Sequence, residues 1–97
     1  MTGKQRAYLR SLANGLDTIV HIGKGGITEN VVKQTLEALV ARELVKCRVL
    51  ESSLLTAREA SDILAEATGA EGVQAIGSRF VLYKANPENP KITLPKG

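Results

Sequence analysis

Three glycines in four positions, Gly23-Lys24-Gly25-Gly26, separate a short apolar run, Thr18-Ile19-Val20-His21-Ile22, from a long amphipathic stretch beginning near Thr28. No other feature restricts the fold so tightly. The β-branched run reads as a strand, apolar enough to be central in a sheet. Val31, Val32, Leu36, Leu39 and Val40 fall on one stripe of a helix of about 15 residues. Thr28 suits its N-cap, Glu29 suits the positive end of its dipole, and Lys33 and Glu37 lie on its outer surface. Leu44–Leu50 then alternates, with Val45, Cys47 and Val49 on one face and Lys46 and Arg48 on the other. Strand, glycine loop, helix and strand make a βαβ unit, whose two strands should be parallel with a right-handed crossover.

The flanking sequence adds elements at both ends. Thr2-Gly3-Lys4-Gln5 is a capping box, followed by Tyr8, Leu9, Leu12 and Leu16 at helical spacing and by Gly15 as a stop. Thr56-Ala57-Arg58-Glu59 is a second capping box. It opens a helix with Ala60, Ile63, Leu64 and Ala67 as the expected buried stripe, closed by Gly69. Gly72–Ile76 and Arg79–Tyr83 form a hairpin across Gly77-Ser78, a pair suited to a type II′ turn. The order α-β-α-β-α-β-β predicts an α/β (α+β) sandwich, a four-stranded mixed sheet with a parallel core, layered with helices. Residues 1–85 form the domain, and residues 86–97, with Pro87, Pro90 and Pro95, form an extended or mobile tail.

Composition removes whole classes of function. No run approaches the ~18 apolar residues that would span a bilayer, and no apolar segment follows the early bases as in a signal peptide. A cytoplasmic location without membrane association is expected. Cys47 is the only cysteine, in a strand where it should be buried and inert. His21 is the only histidine and has no serine or cysteine at triad spacing. The carboxylates lie along helix faces, and no cluster suits a metal. The chain therefore reads as a non-enzyme with no cofactor and no metal.

Charge is segregated along the sequence. Residues 1–28 hold four bases and one acid, residues 29–71 five bases and eight acids, and residues 72–97 four bases and one acid. Lys4, Arg6 and Arg10 surround the apolar stripe of the first helix, whereas Glu59, Asp62 and Glu66 line the outside of the third. That pattern predicts one basic face for an anionic partner, with the acidic helix turned away from it.

The glycine loop matches neither nucleotide signature. A Walker loop needs four residues between its first glycine and Gly-Lys, and the dinucleotide pattern needs glycine where Thr28 stands. What remains is G-x-x-G between a strand and a helix. A tight turn with purely steric glycines satisfies that pattern. So does a backbone clamp, in which the loop and the N–H groups at the helix start hold a phosphate beside Lys24. Phe80, Tyr8 and Tyr83 are the only rings, and all three read as core. An RNA ligand would therefore be held through phosphates and sugars and recognised by shape.

Four motifs in register carry a family resemblance. They are Thr2-Gly3-Lys4-Gln5-Arg6 with Tyr8-Leu9-Arg10, then Ile22-Gly23-Lys24-Gly25-Gly26-Ile27-Thr28-Glu29, then Glu43-Leu44-Val45-Lys46, and Ile76-Gly77 with Val81-Leu82-Tyr83-Lys84. Over roughly residues 2–84 the chain resembles the CRM domain, in particular the stand-alone bacterial YhbY-type proteins. The resemblance implies a fold similar to the C-terminal domain of bacterial translation initiation factor 3. It also implies RNA binding through the G-x-x-G loop, association with precursors of the large ribosomal subunit, and plant relatives in group II intron splicing. By position, Gly23, Lys24, Gly25 and Gly26 are then the RNA loop, with Lys4, Arg6 and Arg10 as the basic helix. His21, Thr28 and Lys33 complete the expected site on a monomer. Two other readings stay open: a ribosome-docking module that contacts protein alone, and a splicing-type RNA-binding factor.

Overall fold

A computed structural model describes residues 1–96. The elements are α1 (Gly3–Ala13), β1 (Thr18–Ile22), α2 (Glu29–Arg42), β2 (Leu44–Val49), α3 (Ala57–Thr68), β3 (Glu71–Ile76) and β4 (Arg79–Tyr83). Each helix starts where the sequence places its cap. Thr2, Thr28 and Thr56 each accept the backbone N–H three residues on, and the boxes at Thr2 and Thr56 are closed by Gln5 and Glu59. Gly69 ends α3 in the left-handed region, and Gly77 takes φ +60 in the β3–β4 turn, as a type II′ turn demands of its first central residue.

The four strands lie in the order β1-β2-β4-β3. β1 and β2 are parallel, as the βαβ unit requires, while β4 is antiparallel to both β2 and β3. Inserting β4 beside β2 corrects the expected parallel core to a single parallel pair. It also makes β1 an edge strand, not a central one. The apolar character of β1 is spent on one face: Val20 and Ile22 are buried and His21 is exposed.

The sheet is covered on both sides. α2 and α3 enclose one core with Val20, Ile22, Val45, Cys47, Val49, Phe80 and Leu82. On the other face, Leu9 and Ala13 of α1 pack with Leu44, Val73, Val81 and Tyr83. Cys47 is fully buried, and burial pushes its thiol up to about 12, which makes it unreactive. α3 lies on the sheet face opposite α1 with Glu59, Asp62 and Glu66 exposed; its Arg58 and Asp62 pair at 3.7 Å and line a cavity with Arg6 of α1 at the β3 edge.

Two helix stripes are rotated from their expected positions. α2 buries Thr35 and Leu39 and leaves Val40 exposed, while α3 buries Ala57, Ala60, Ser61, Leu64 and Thr68 and leaves Ile63 and Ala67 exposed. The hydroxyls explain it. Thr35 Oγ1 donates to the Val31 carbonyl at 2.7 Å, and Thr68 Oγ1 to the Leu64 carbonyl at 2.6 Å. A buried threonine satisfied inside its own helix costs little, so counting only apolar residues misplaces the stripe. Tyr8, expected in the core, is exposed on α1.

The proline-rich tail is extended and packed onto the domain. Ile92 and Leu94 lie against the α1-side core, and Gln5 Nε2 donates to the Pro95 carbonyl at 3.0 Å. Its anchor is Glu43, which caps α2 at φ +64 and is 1% exposed. The Glu43 carboxylate accepts the backbone N–H groups of Asn86 (2.6 Å), Lys91 (2.5 Å) and Ile92 (2.8 Å). Burial works to raise its pKa. Those three bonds, with the nearby Lys91 charge, outweigh burial and hold the carboxyl below its ordinary value.

Candidate nucleic-acid interface

The glycine loop is a β-turn closed by Gly26 N–H donating to the Gly23 carbonyl at 3.0 Å. Only Gly26, at φ +69, occupies a conformation that favours glycine. A Cβ at position 23 would meet Ser52 Oγ at 3.6 Å and Leu50 Cδ1 at 3.8 Å, and one at position 25 would meet Thr28 Cγ2 at 3.8 Å. These are ordinary contacts. Neither packing nor backbone conformation requires glycine at 23 or 25, so the steric explanation covers one of the three glycines.

The loop opens onto the start of α2. Thr28 Oγ1 accepts the Val31 N–H at 3.2 Å, and the Thr28 carbonyl accepts the Val32 N–H at 3.0 Å. Among the described residues, no hydrogen bond engages the N–H groups of Glu29 and Asn30. Those donors and the dipole of α2 point toward the turn that carries the exposed Lys24. Glu29 is the one carboxylate at this helix start. Lys33, exposed one turn into α2, is close enough to extend the positive potential.

A second group of bases flanks the loop on the sheet. α1 covers only part of its face, over Leu44, Val73, Val81 and Tyr83. The remainder of that face lies toward the glycine loop and the Gly77-Ser78 turn. There His21, Arg48, Arg79 and Ile76 are partners in register across β1, β2, β4 and β3, and all four are exposed. Lys46 sits half-buried behind them, its Nζ donating to the Ala13 carbonyl at 3.4 Å.

The expected site residues are therefore only partly brought together. Gly23, Lys24, Gly25, Gly26, Thr28, Lys33 and His21 share one end of the molecule. Lys4 and Arg6 do not join them. The Arg6 guanidinium donates to the Gly72 and Val73 carbonyls of β3, the sheet edge opposite β1, and Lys4 lies on the same turn of α1. Arg6 is a tie between α1 and β3. Arg10 is exposed one turn further along α1 and forms no ion pair among the described residues, which leaves it free to face an anion. Arg48 and Arg79 are the bases that sequence reasoning missed. Alternation placed Arg48 on a polar strand face, but nothing local places Arg79 beside it.

A family model, the CRS1 / YhbY (CRM) domain, matches residues 1–84. The chain belongs to this family. Among curated relatives, it is 43% identical over 95 residues to the Bacillus subtilis protein named "Probable RNA-binding protein YqeI", covering 98% of this chain and 99% of that one. A Haemophilus influenzae protein named "RNA-binding protein" is 34% identical over 96 residues, covering 99% of this chain and 96% of the relative. Among solved structures, the hypothetical protein SAV1595 from Staphylococcus aureus superimposes with a TM-score of 0.81 at 49% identity, covering 98% of this chain and 99% of the other. The α-β-α-β-α-β-β order and the mixed sheet are thus those of a CRM domain. Among the described residues of this CRM domain no helix is long and apolar enough to cross a membrane, and no cluster of side chains is suited to a metal.

Proposed function

We propose that this CRM domain is a non-enzymatic, cytoplasmic RNA-binding protein that acts as a monomer on rRNA of the large ribosomal subunit precursor during assembly. One observation carries the reading: glycines at 23 and 25 that the fold itself does not need, beside Lys24 and the free N–H groups of Glu29 and Asn30. Absence of Cβ atoms at those positions is useful to a backbone that approaches from outside. A phosphate seated there would accept N–H bonds from the helix start and a charge-assisted bond from Lys24. The names of the relatives support RNA as the anion. The exposed acidic face of α3 lies on the opposite side of the sheet and would not oppose the approach.

Binding to deproteinised large-subunit rRNA tests the proposal. Affinity should fall with salt on a log–log slope of about −0.7 to −0.9 per phosphate neutralised. A salt-independent affinity, or none, would overturn it. A protein-docking role has one observation in its favour: Leu54, in the loop that packs Leu50 and Ser52 against Gly23, is 90% exposed. Retention on particles stripped of rRNA would favour that role.

A further inference from the structure

Arg48 and Arg79 face each other directly across β2 and β4. Val49 N–H donates to the Ser78 carbonyl at 2.7 Å, which makes 48/79 a pair flanked by ladder bonds and not joined by them. That is the closer of the two antiparallel pair types, with Cα atoms about 4.5 Å apart. Like charges directly opposite on a sheet are destabilising. The usual remedy is a carboxylate in ion-pair contact, and neither arginine has one: Glu51 lines the same cavity as Arg48 and the Gly77-Ser78 turn but does not pair with Arg48. Among the described residues the one ion pair is Arg58–Asp62, on α3 at the other face, and neither guanidinium of the 48/79 pair donates a hydrogen bond to the protein.

The geometry points to a second anion site at Arg48 and Arg79, continuous through His21 with the glycine loop and occupied by the phosphodiester backbone of RNA. The inference rests on the RNA-binding function proposed above and adds a direction to it: the strand runs across β1, β2 and β4, away from the loop and toward the Gly77-Ser78 turn. Neighbouring strands are about 4.8 Å apart, so the row from His21 to Arg79 spans about 10 Å, room for at least two consecutive phosphates. Guanidinium forks suit phosphate oxygens in bidentate geometry and stack on exposed bases. Ile76, in register with Arg79 and 67% exposed, ends the row with an apolar surface for a sugar or base. A bound phosphate between the two arginines removes the repulsion that the free protein carries.

The test uses Arg48→Gln, Arg79→Gln and the double variant, with deproteinised large-subunit rRNA as the probe and Lys24→Gln as a separate arm. The double variant should lower the magnitude of the salt slope by about 0.7 to 0.9 for each arginine replaced. Its melting temperature without RNA should hold or rise by about 1–4 °C as the repulsion is relieved. An unchanged slope in a folded double variant overturns the second site, while loss of binding in Lys24→Gln alone leaves the loop reading standing. If the unmodified protein binds no rRNA, both fall. If the double variant keeps its rRNA affinity but no longer sediments with intact large-subunit precursors, the row contacts protein and the inference fails.

Discussion

The two ends of the sheet treat charge in opposite ways. At one end Glu43 is buried, holds a positive φ and receives three backbone N–H groups from the tail, so every polar atom there has a partner. At the other end Arg48 and Arg79 face each other without an ion-pair partner, Lys24 extends from an open turn, and two N–H groups of α2 have no acceptor. A fold that can satisfy a buried carboxylate this completely has the means to neutralise its arginines. Leaving one end unsatisfied is what the proposed binding surface requires and a closure does not.

The largest effect should come from breaking the satisfied end. Glu43→Ala strands the tail's N–H donors and removes a charged acceptor, at a cost of about 3 kcal/mol by urea denaturation. Limited proteolysis should then cut first between Asn86 and Lys96. If the tail stays protected, Ile92 and Leu94 hold it without the carboxylate. At the open end, Gly26→Val forces a β-branched residue to φ +69 and should cost about 1–2 kcal/mol of stability. Gly26 is therefore a poor probe of binding. Gly25→Ala is the sharper one: its Cβ meets only ordinary contacts, so stability should be unchanged while rRNA affinity drops about tenfold, or about 1.4 kcal/mol. Equal stability with equal affinity would mean that no ligand backbone approaches position 25.

Local signals reached different depths at these two ends. The caps at Thr2, Thr28 and Thr56, the glycine loop and the II′ turn were all legible, because each depends on residues within about four positions of one another. The arginine pair was not. Alternation says that Arg48 faces the polar side of its strand, but its neighbour is fixed by β2 pairing with β4, some 30 residues away and in a register no local rule gives. Glu43 was illegible for the same reason. A glutamate after a helix reads as solvated, and only the tail's return past α2 buries it. Arg6 shows the reverse case: its charge was visible, but its hydrogen bonds to β3 depend on how α1 crosses the sheet.

The smallest effect is also the one whose sign is least intuitive. Because the folded Glu43 carboxyl is held below its ordinary value of 4.5, it contributes stability at neutral pH that is lost as pH falls through the lowered folded value. A protonated carboxyl still offers its carbonyl oxygen to one or two of the three N–H donors, so acid should loosen the strap less than Glu43→Ala does. Stability followed from pH 6 to pH 3 should decline, and Glu43→Gln, which cannot titrate, should flatten part of that decline. The open end has no comparable buried carboxylate. Hydrogen exchange at acid pH should therefore rise at Asn86, Lys91 and Ile92 before it rises at Gly26. Simultaneous opening of both ends would mean that the tail is an inseparable part of the core, and the contrast between a closed end and an open one would fail.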